Sequence, residues 1–127
     1  MTKIVVIDDE PEMLRVVTRM LQLGGYECTA YSDAKLALAN MEEHPADAIL
    51  TDVFMPHMDA FEVINVAREK FPQVPVIVMS GGGQHLKGDM LASTEALGAS
   101  AVIGKPFFQK DLLSVVGAAI EKAQQRN

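Results

Sequence analysis

Three short apolar runs in this chain each end in a polar side chain, and this repeated pattern restricts the possible folds more than any other feature. The runs and their polar ends are 4–7 before Asp8 and Asp9, 48–50 before Thr51 and Asp52, and 76–79 before Ser80. Short apolar runs bounded by turn signals such as Pro56 are typical of buried β-strands. If these strands are parallel neighbours, their polar ends meet at one small site. We therefore predict a reactive site centred on Asp52.

The length and composition fit one globular domain. The chain has 127 residues, of which 49% are hydrophobic and 22% are charged, as in soluble proteins. No apolar run approaches the roughly 20 residues that span a bilayer, and the N-terminus leads directly into a strand without a signal peptide. We predict a single cytoplasmic domain over residues 1–127, with no output domain and no membrane association. Lone Cys28 excludes an intramolecular disulfide and is predicted to be a buried, inert thiol.

The charge balance argues against nucleic-acid binding. Asp and Glu number 17 against 11 Lys and Arg, giving a formal net charge of −6, and Trp is absent. A chain that binds nucleic acid by itself usually shows a basic patch with interleaved aromatic residues. We find no such cluster and predict no nucleic-acid partner.

Strand-like and helix-like segments alternate along the whole chain. Pro11 can open the first helix, Ser32 or Asp33 can cap the second, and Asp59 can cap the third. Strands are predicted at 4–7, 26–31, 46–51, 76–79 and 100–103, and helices at 11–23, 34–41, 60–71, near 88–97 and at 112–120. Alternation of this kind predicts an α/β fold, with a doubly wound, five-stranded parallel sheet and five helices on its two faces. The functional crevice of such a sheet lies beyond the carboxyl ends of its strands.

Three carboxylates are predicted to share that crevice. Two carboxylates about 4 Å apart repel by about 4 kcal/mol at an effective dielectric constant near 20. The carboxylates of Asp8, Asp9 and Asp52 therefore need either a proton or a divalent cation among them. An all-oxygen site with room for water suits Mg²⁺, with Mn²⁺ as a substitute.

Ser80 and Lys105 add a hydroxyl and an ammonium to the same edge of the sheet. With a cation, these groups can clamp a phosphoryl group, whose transfer depends mainly on positioning and charge neutralisation. Because a carboxylate is an adequate nucleophile, Asp52 is a candidate acceptor. The Lys105–Pro106 bond can be cis at modest cost, which would turn the chain sharply beside the site.

Taken together, these motifs resemble the receiver domain of two-component response regulators. Asp8-Asp9, the segment from Asp52 to Asp59, Ser80 and Lys105-Pro106-Phe107 stand in the family's order and spacing across the whole chain. The resemblance implies the flavodoxin-like receiver fold with strand order 2-1-3-4-5.

The resemblance also implies roles for individual residues. Asp52 would be the phosphoacceptor, loaded by a histidine kinase or a histidine phosphotransfer protein. Asp9, Asp52 and the backbone carbonyl of Phe54 would bind Mg²⁺, and Asp8 would act through a water molecule. Ser80 and Lys105 would contact the phosphoryl oxygens. The output would be a partner protein or a phosphorelay, reached through the surface of the fourth helix, fifth strand and fifth helix. The domain itself would be a monomer or a weak, phosphorylation-dependent dimer, catalysing only its own phosphorylation and dephosphorylation.

Three positions depart from the family pattern or bear on its kinetics. Val102 stands where many receivers carry an aromatic switch residue, whose ring alternates between buried and exposed positions to relay the signal. Because valine has no ring, the signal from Asp52 cannot be relayed in this way. Phe54 and Gly82 flank the path of attacking water, and neither offers an acid or amide to orient it. We therefore predict moderate or slow loss of the phosphoryl group.

Other interpretations remain open at this stage. Asp8, Asp9 and Glu10 can cap a helix N-terminus without any metal. The same crevice can serve a small Mg²⁺-dependent phosphatase or hydrolase, although no P-loop or nucleotide-recognition motif is found. A flavin mononucleotide binder would place its phosphate after strand one, where the acidic residues repel it. A receiver-shaped interaction module that works without phosphorylation is the last alternative.

Overall fold

The computed structural model of the protein describes residues 1–53, 55, 58–81 and 98–125. These residues form five strands and four helices. The elements in chain order are β1 (Lys3–Ile7), α1 (Pro11–Leu23), β2 (Glu27–Tyr31), α2 (Ala34–Met41), β3 (Ala48–Asp52), α3 (Ala60–Lys70), β4 (Val76–Ser80), β5 (Ala101–Gly104) and α4 (Gln109–Gln125). The predicted helix near 88–97 lies outside the described residues, so α4 corresponds to the fifth predicted helix.

The five strands form one parallel sheet in the order β2-β1-β3-β4-β5. This order confirms the doubly wound fold, because β1 pairs with both β2 and β3 and the chain then winds outward through β4 to β5. The carboxyl ends of β1, β3 and β4 therefore lie side by side. The central position of β3 brings Asp52 between the neighbouring strand ends.

The sheet separates two hydrophobic cores. Successive side chains of a strand point to opposite faces, so Ile49 packs on the side of α2 and α3 while Leu50 packs on the side of α1 and α4. Both are fully buried. The runs that are apolar on both faces thus belong to the inner strands, as predicted.

The helix starts follow the predicted capping chemistry. Pro11 occupies the first turn of α1, where its missing N–H costs nothing. The Asp33 carboxylate accepts hydrogen bonds from the backbone N–H groups of Lys35 and Leu36. Asp59 accepts one from Glu62 N–H at 3.0 Å. Asp33, rather than Ser32, is therefore the cap of α2, and Asp59 is confirmed as the cap of α3.

The end of β3 and the burial of Cys28 differ from the sequence prediction in an informative way. Strand β3 includes Asp52, because this residue pairs with Met79 and Val53 N–H donates to the Met79 carbonyl at 3.1 Å. Cys28 is half-buried rather than buried, because β2 is an edge strand. Burial and, as the smaller cause, the charge of Glu27 nevertheless raise the pKa of the Cys28 thiol to about 11. This raised pKa fits the prediction of an unreactive thiol.

Two glycines with positive φ allow a matched stability test. Gly25 has φ +94° with no other atom near its missing side chain, whereas at Gly98 (φ +112°) a Cβ would lie 3.1 Å from Arg68 Cδ. We expect Gly25→Ala to lower the free energy of unfolding by about 1–2 kcal/mol through backbone strain alone. Gly98→Ala should cost about 1 kcal/mol more, because Arg68 must also move. Chemical denaturation measures both; equal losses would contradict the crowding at Gly98.

Candidate functional site

The carboxyl edge of the sheet gathers the predicted acidic residues. Asp8, Asp9 and Asp52 each offer a carboxylate oxygen, and the three oxygens lie within 4.8 Å of one another. The convergence follows from the strand order, since β1 and β3 are neighbours and end at the same edge. The predicted acidic cluster is confirmed in its geometry.

The two consecutive acids after β1 have different environments. Asp8 is completely buried, and its Oδ1 accepts a hydrogen bond from the Glu10 backbone N–H at 2.9 Å. Asp9 is exposed. Asp8 is thus fixed by the protein, while Asp9 faces solvent.

Lys105 lies between two of the carboxylates. Its ammonium is 3.2 Å from Asp8 Oδ2 and 3.0 Å from Asp52 Oδ1. The Lys105 side chain is only 12% exposed and that of Asp52 14%, so the bulk solvent screens these pairs weakly. The Lys105 ammonium therefore supplies the positive charge that the buried end of the cluster requires.

The backbone around β4 and β5 holds Lys105 in place. Lys105 N–H donates to the Ser80 carbonyl at 2.7 Å, and the bond from Lys105 to Pro106 is cis. Ser80 is 3% exposed at the end of β4. A Cβ on Gly81 would lie 3.1 Å from Lys105 Cδ, so the absence of a side chain at 81 lets the lysine stem pass. This role of Gly81 could not be found from the sequence, because its contact with Lys105 depends on the pairing of β4 and β5.

Burial and charge act in opposite directions on the titration of this cluster. Burial, aided by the charge of Asp8, raises the pKa of Asp52, although the hydrogen bond and charge of Lys105 and a backbone hydrogen bond from Val53 oppose the shift. Burial disfavours the Lys105 ammonium, but the hydrogen bonds and charges of Asp52 and Asp8 outweigh it and raise the pKa of Lys105. Lys105 thus remains charged, while one cation does not fully compensate two buried acids.

This imbalance predicts a pH-dependent effect of Asp52→Asn. The pKa of the Asp52 carboxyl is raised above its usual 3.8. Such a carboxyl contributes its full stabilisation of the folded state below pH 3.8 and loses that contribution as the pH rises through the raised pKa. Without divalent cations, Asp52→Asn should therefore melt at a higher temperature than the parent at pH 7. The difference should shrink as the pH falls towards 3.8. Calorimetry in EDTA tests this, and a variant that melts below the parent at pH 7 would contradict it.

The donor set fits a hard divalent cation. All three candidate side-chain ligands are carboxylates, which suit Mg²⁺ or Mn²⁺, and the exposed side of the cluster at Asp9 leaves room for water ligands. Residual negative charge after pairing with Lys105 also favours a cation. The residues present therefore fit the predicted magnesium site.

Some predicted site residues cannot be placed. Phe54, whose carbonyl was the third predicted ligand, and Gly82 lie outside the described residues, so the prediction of slow phosphoryl loss stays a prediction. Val102 is half-buried in β5 beside Val78 and packs against the core on the α2 and α3 side. At this position no aromatic ring is available to alternate between buried and exposed states.

The fold and the site define a doubly wound α/β protein with an acidic, lysine-bridged site suited to a phosphoryl group. A family model described as response regulator receiver domain matches residues 4–117. The chain belongs to this family. Receiver domains of two-component response regulators are phosphorylation-dependent signalling modules, which confirms the interpretation made from the motifs.

Individual relatives agree with this assignment. The chain is 33% identical over 122 residues to the transcriptional regulatory protein KdpE of Mycobacterium tuberculosis, covering 96% of this chain and 52% of that protein. It is 31% identical over 125 residues to the regulatory protein VanRc of Enterococcus gallinarum, covering 98% and 52%. A crystal structure of a response regulator receiver domain protein from Clostridium thermocellum aligns with a TM-score of 0.86 at 28% identity, covering 100% of both chains.

The chain matches only part of each of the two curated relatives. The chain spans about half the length of these two curated relatives, and the absence of an output domain stays a prediction. None of the helices among the described residues is long and apolar enough to cross a bilayer.

Proposed function

We propose that this receiver accepts a phosphoryl group on Asp52 from the phosphohistidine of a sensor histidine kinase or a histidine phosphotransfer protein. The observation that best supports this role is the Lys105 ammonium, which contacts both Asp52 and buried Asp8 at the carboxyl edge of the sheet. A charge balance of this kind is not needed to cap a helix. It places a cation beside the carboxylate that would receive a phosphoryl group, which is dianionic once attached.

In the proposed reaction, an Asp52 carboxylate oxygen forms a bond to phosphorus while the bond from phosphorus to the donor nitrogen breaks. The electron pair of that bond stays with the donor imidazole. Lys105 neutralises phosphoryl oxygens from one side, and the Ser80 hydroxyl at the end of β4 donates to them from another. Burial of Asp52 limits access of water to the resulting acyl phosphate. The domain thereby catalyses only its own phosphorylation and dephosphorylation.

The acidic residues supply the proposed cation site. Asp9, Asp52 and the Phe54 carbonyl would bind Mg²⁺ directly and Asp8 through a water molecule. A bound Mg²⁺ supplies positive charge to the phosphoryl oxygens and offsets the repulsion between them and the carboxylates. Exposed Asp9 can bind a cation that arrives from solvent, whereas buried Asp8 holds the Lys105 ammonium in position.

The signal from Asp52 is proposed to pass to a partner protein or onward in a phosphorelay. The predicted contact surface includes β5 and α4, both described, and the predicted fourth helix, which lies outside the described residues. Half-buried Val102 requires a relay that does not use a ring flip. The cytoplasmic location, the absence of a nucleic-acid partner and the monomeric or weakly dimeric state likewise stay predictions.

Labelling by a small phosphoryl donor tests the proposed function. With acetyl phosphate and Mg²⁺, the intact mass should rise by one phosphoryl group, because the carboxylate needs only a donor and a cation. Asp52→Asn should abolish the increase, whereas Asp111→Asn, on the exposed first turn of α4, should not. Turnover of the donor without stoichiometric labelling would instead favour the small-phosphatase alternative. If the protein is not labelled and the donor is not turned over, a module that works without phosphorylation would be favoured.

A further inference from the structure

The opposite edge of the sheet contains a second cavity. About 550 Å³ of space lies between the end of α3, the segments that lead into β4 and β5, and the last turns of α4. Cavities that bind small molecules usually measure about 300–1,000 Å³. The cavity contacts Val76 at the start of β4, whereas Ser80 at its end belongs to the acidic site. Four residues of extended strand separate the two by roughly 13 Å, so the cavity is a separate place on the molecule.

The floor of this cavity is apolar and held by backbone hydrogen bonds. Ala67, Val76 and Ala119 line it and are buried. Ser100 connects the start of β5 to the start of β4. Its N–H donates to the Val76 carbonyl at 2.8 Å, and its hydroxyl accepts from Val76 N–H at 3.3 Å. The floor is thus formed by packed residues of α3, β4 and α4, and it exists before any ligand arrives. The floor offers apolar contacts to the body of a small ligand, while most of the exposed lining is polar and can hydrogen-bond to its polar groups.

Among the described residues around the cavity, the charges are all of one sign. Among the described residues that line it, the charged ones are Arg68 and Lys122, and none is acidic. This is unusual for a chain with a net charge of −6. Lys122 is exposed on α4 and takes part in none of the ion pairs found among the described residues. Arg68 lies against Gly98 and makes interactions of its own, so we assign the direct contact with a ligand to Lys122.

We propose that this cavity binds a small organic monoanion with a flat apolar body, such as an aromatic carboxylate. The apolar floor receives the ring, and the Lys122 ammonium pairs with the carboxylate at the rim. Gln73, also at the rim, can donate an amide hydrogen to the same carboxylate. This site is independent of phosphorylation at Asp52. For about a dozen heavy atoms in a partly open site, the dissociation constant should be on the order of 1 mM.

The test compares two probes of the same shape on the unaltered protein. ¹⁵N-labelled protein is titrated with 2-naphthoate and, separately, with uncharged naphthalene-2-carboxamide, at constant pH and ionic strength. We expect saturable amide shifts from 2-naphthoate at Gln73, Gly98, Ser100 and Lys122, and several-fold weaker binding of the carboxamide. Equal affinity for the two probes would overturn the assignment of an anionic ligand. Shifts that do not saturate, or that lie elsewhere, would overturn the site itself.

Substitutions in and near the cavity then test whether Lys122 contacts the carboxylate of 2-naphthoate. Lys122→Gln should weaken 2-naphthoate binding about twofold to fivefold, which is the range for loss of one charged partner near the surface. Lys110→Gln, exposed on the same helix but outside the cavity, should leave the affinity unchanged. Ala123→Phe, which fills the cavity from α4, should abolish binding. Acetyl phosphate labelling of each variant monitors the fold, and it should be normal even if the proposed ligand site is wrong.

Discussion

Lys105→Met is expected to lower the free energy of unfolding by about 2–4 kcal/mol in EDTA at neutral pH. Removal of one member of a buried charge cluster leaves the remaining charges without compensation, which typically costs about 3–5 kcal/mol. The partial exposure of Lys105 and Asp52 reduces that cost. Since the pKa of Lys105 is raised, its contribution is complete below the usual value of 10.5 and is lost only as pH rises through the raised value. Neutral conditions therefore show the full effect.

Lys70→Met is the matched control for this measurement. Lys70 also pairs with a carboxylate, at 3.1 Å from Glu42, but both side chains are 54% exposed. An exposed pair contributes about 0–1 kcal/mol, so this variant should be nearly as stable as the parent. Added Mg²⁺ should restore part of the stability lost in Lys105→Met and none of any loss in Lys70→Met. Similar losses for the two variants would show that Lys105 is not an internal counter-charge.

Asp9→Asn is expected to weaken Mg²⁺ binding at least about tenfold while hardly changing the stability of the metal-free protein. The exposed Asp9 carboxylate lies within the acidic cluster but makes no contact with Lys105 among the described hydrogen bonds and ion pairs. Loss of a full negative charge a few ångströms from a dication is costly even in a polar environment. Isothermal titration calorimetry measures the affinity, and denaturation in EDTA measures the stability.

Asp8→Asn and Glu12→Gln complete the comparison. Asp8 is buried and paired with Lys105, so its amide variant should change metal-free stability as well as Mg²⁺ affinity. Glu12 lies in the first turn of α1, outside the cluster, and its variant should bind Mg²⁺ normally. If Asp9→Asn binds Mg²⁺ as tightly as the parent, the proposed direct ligand is wrong.

Much of the fold and site follows from local sequence. Short apolar runs identified the inner strands. The cap Asp59, and Asp33 as one of two candidates with Ser32, followed from the known preference of short polar and acidic residues for helix starts. The convergence of Asp8, Asp9 and Asp52 required one further assumption, that the strands are parallel. Each of these features depends on residues close together in the chain or on a general rule of open sheets.

Other features depend on contacts between distant segments and could not be predicted locally. Cys28 was expected to be buried, but strand order places β2 at an edge, and strand order is set by long-range pairing. Asp8 and Asp9 are chemically identical neighbours, yet the exit geometry of β1 buries one and exposes the other. The cavity beside Lys122 joins segments more than 50 residues apart in the chain, so no sequence motif marks it.

Reductive trapping tests the central claim, that Asp52 is the phosphoacceptor, most directly. Borohydride reduces an acyl phosphate to the alcohol, so a phosphorylated aspartate becomes homoserine, which peptide mass spectrometry locates. After treatment with acetyl phosphate and Mg²⁺, we predict homoserine at position 52 and nowhere else. Homoserine at position 8 or 9, or its absence in a protein that has gained a phosphoryl group, would contradict the assignment.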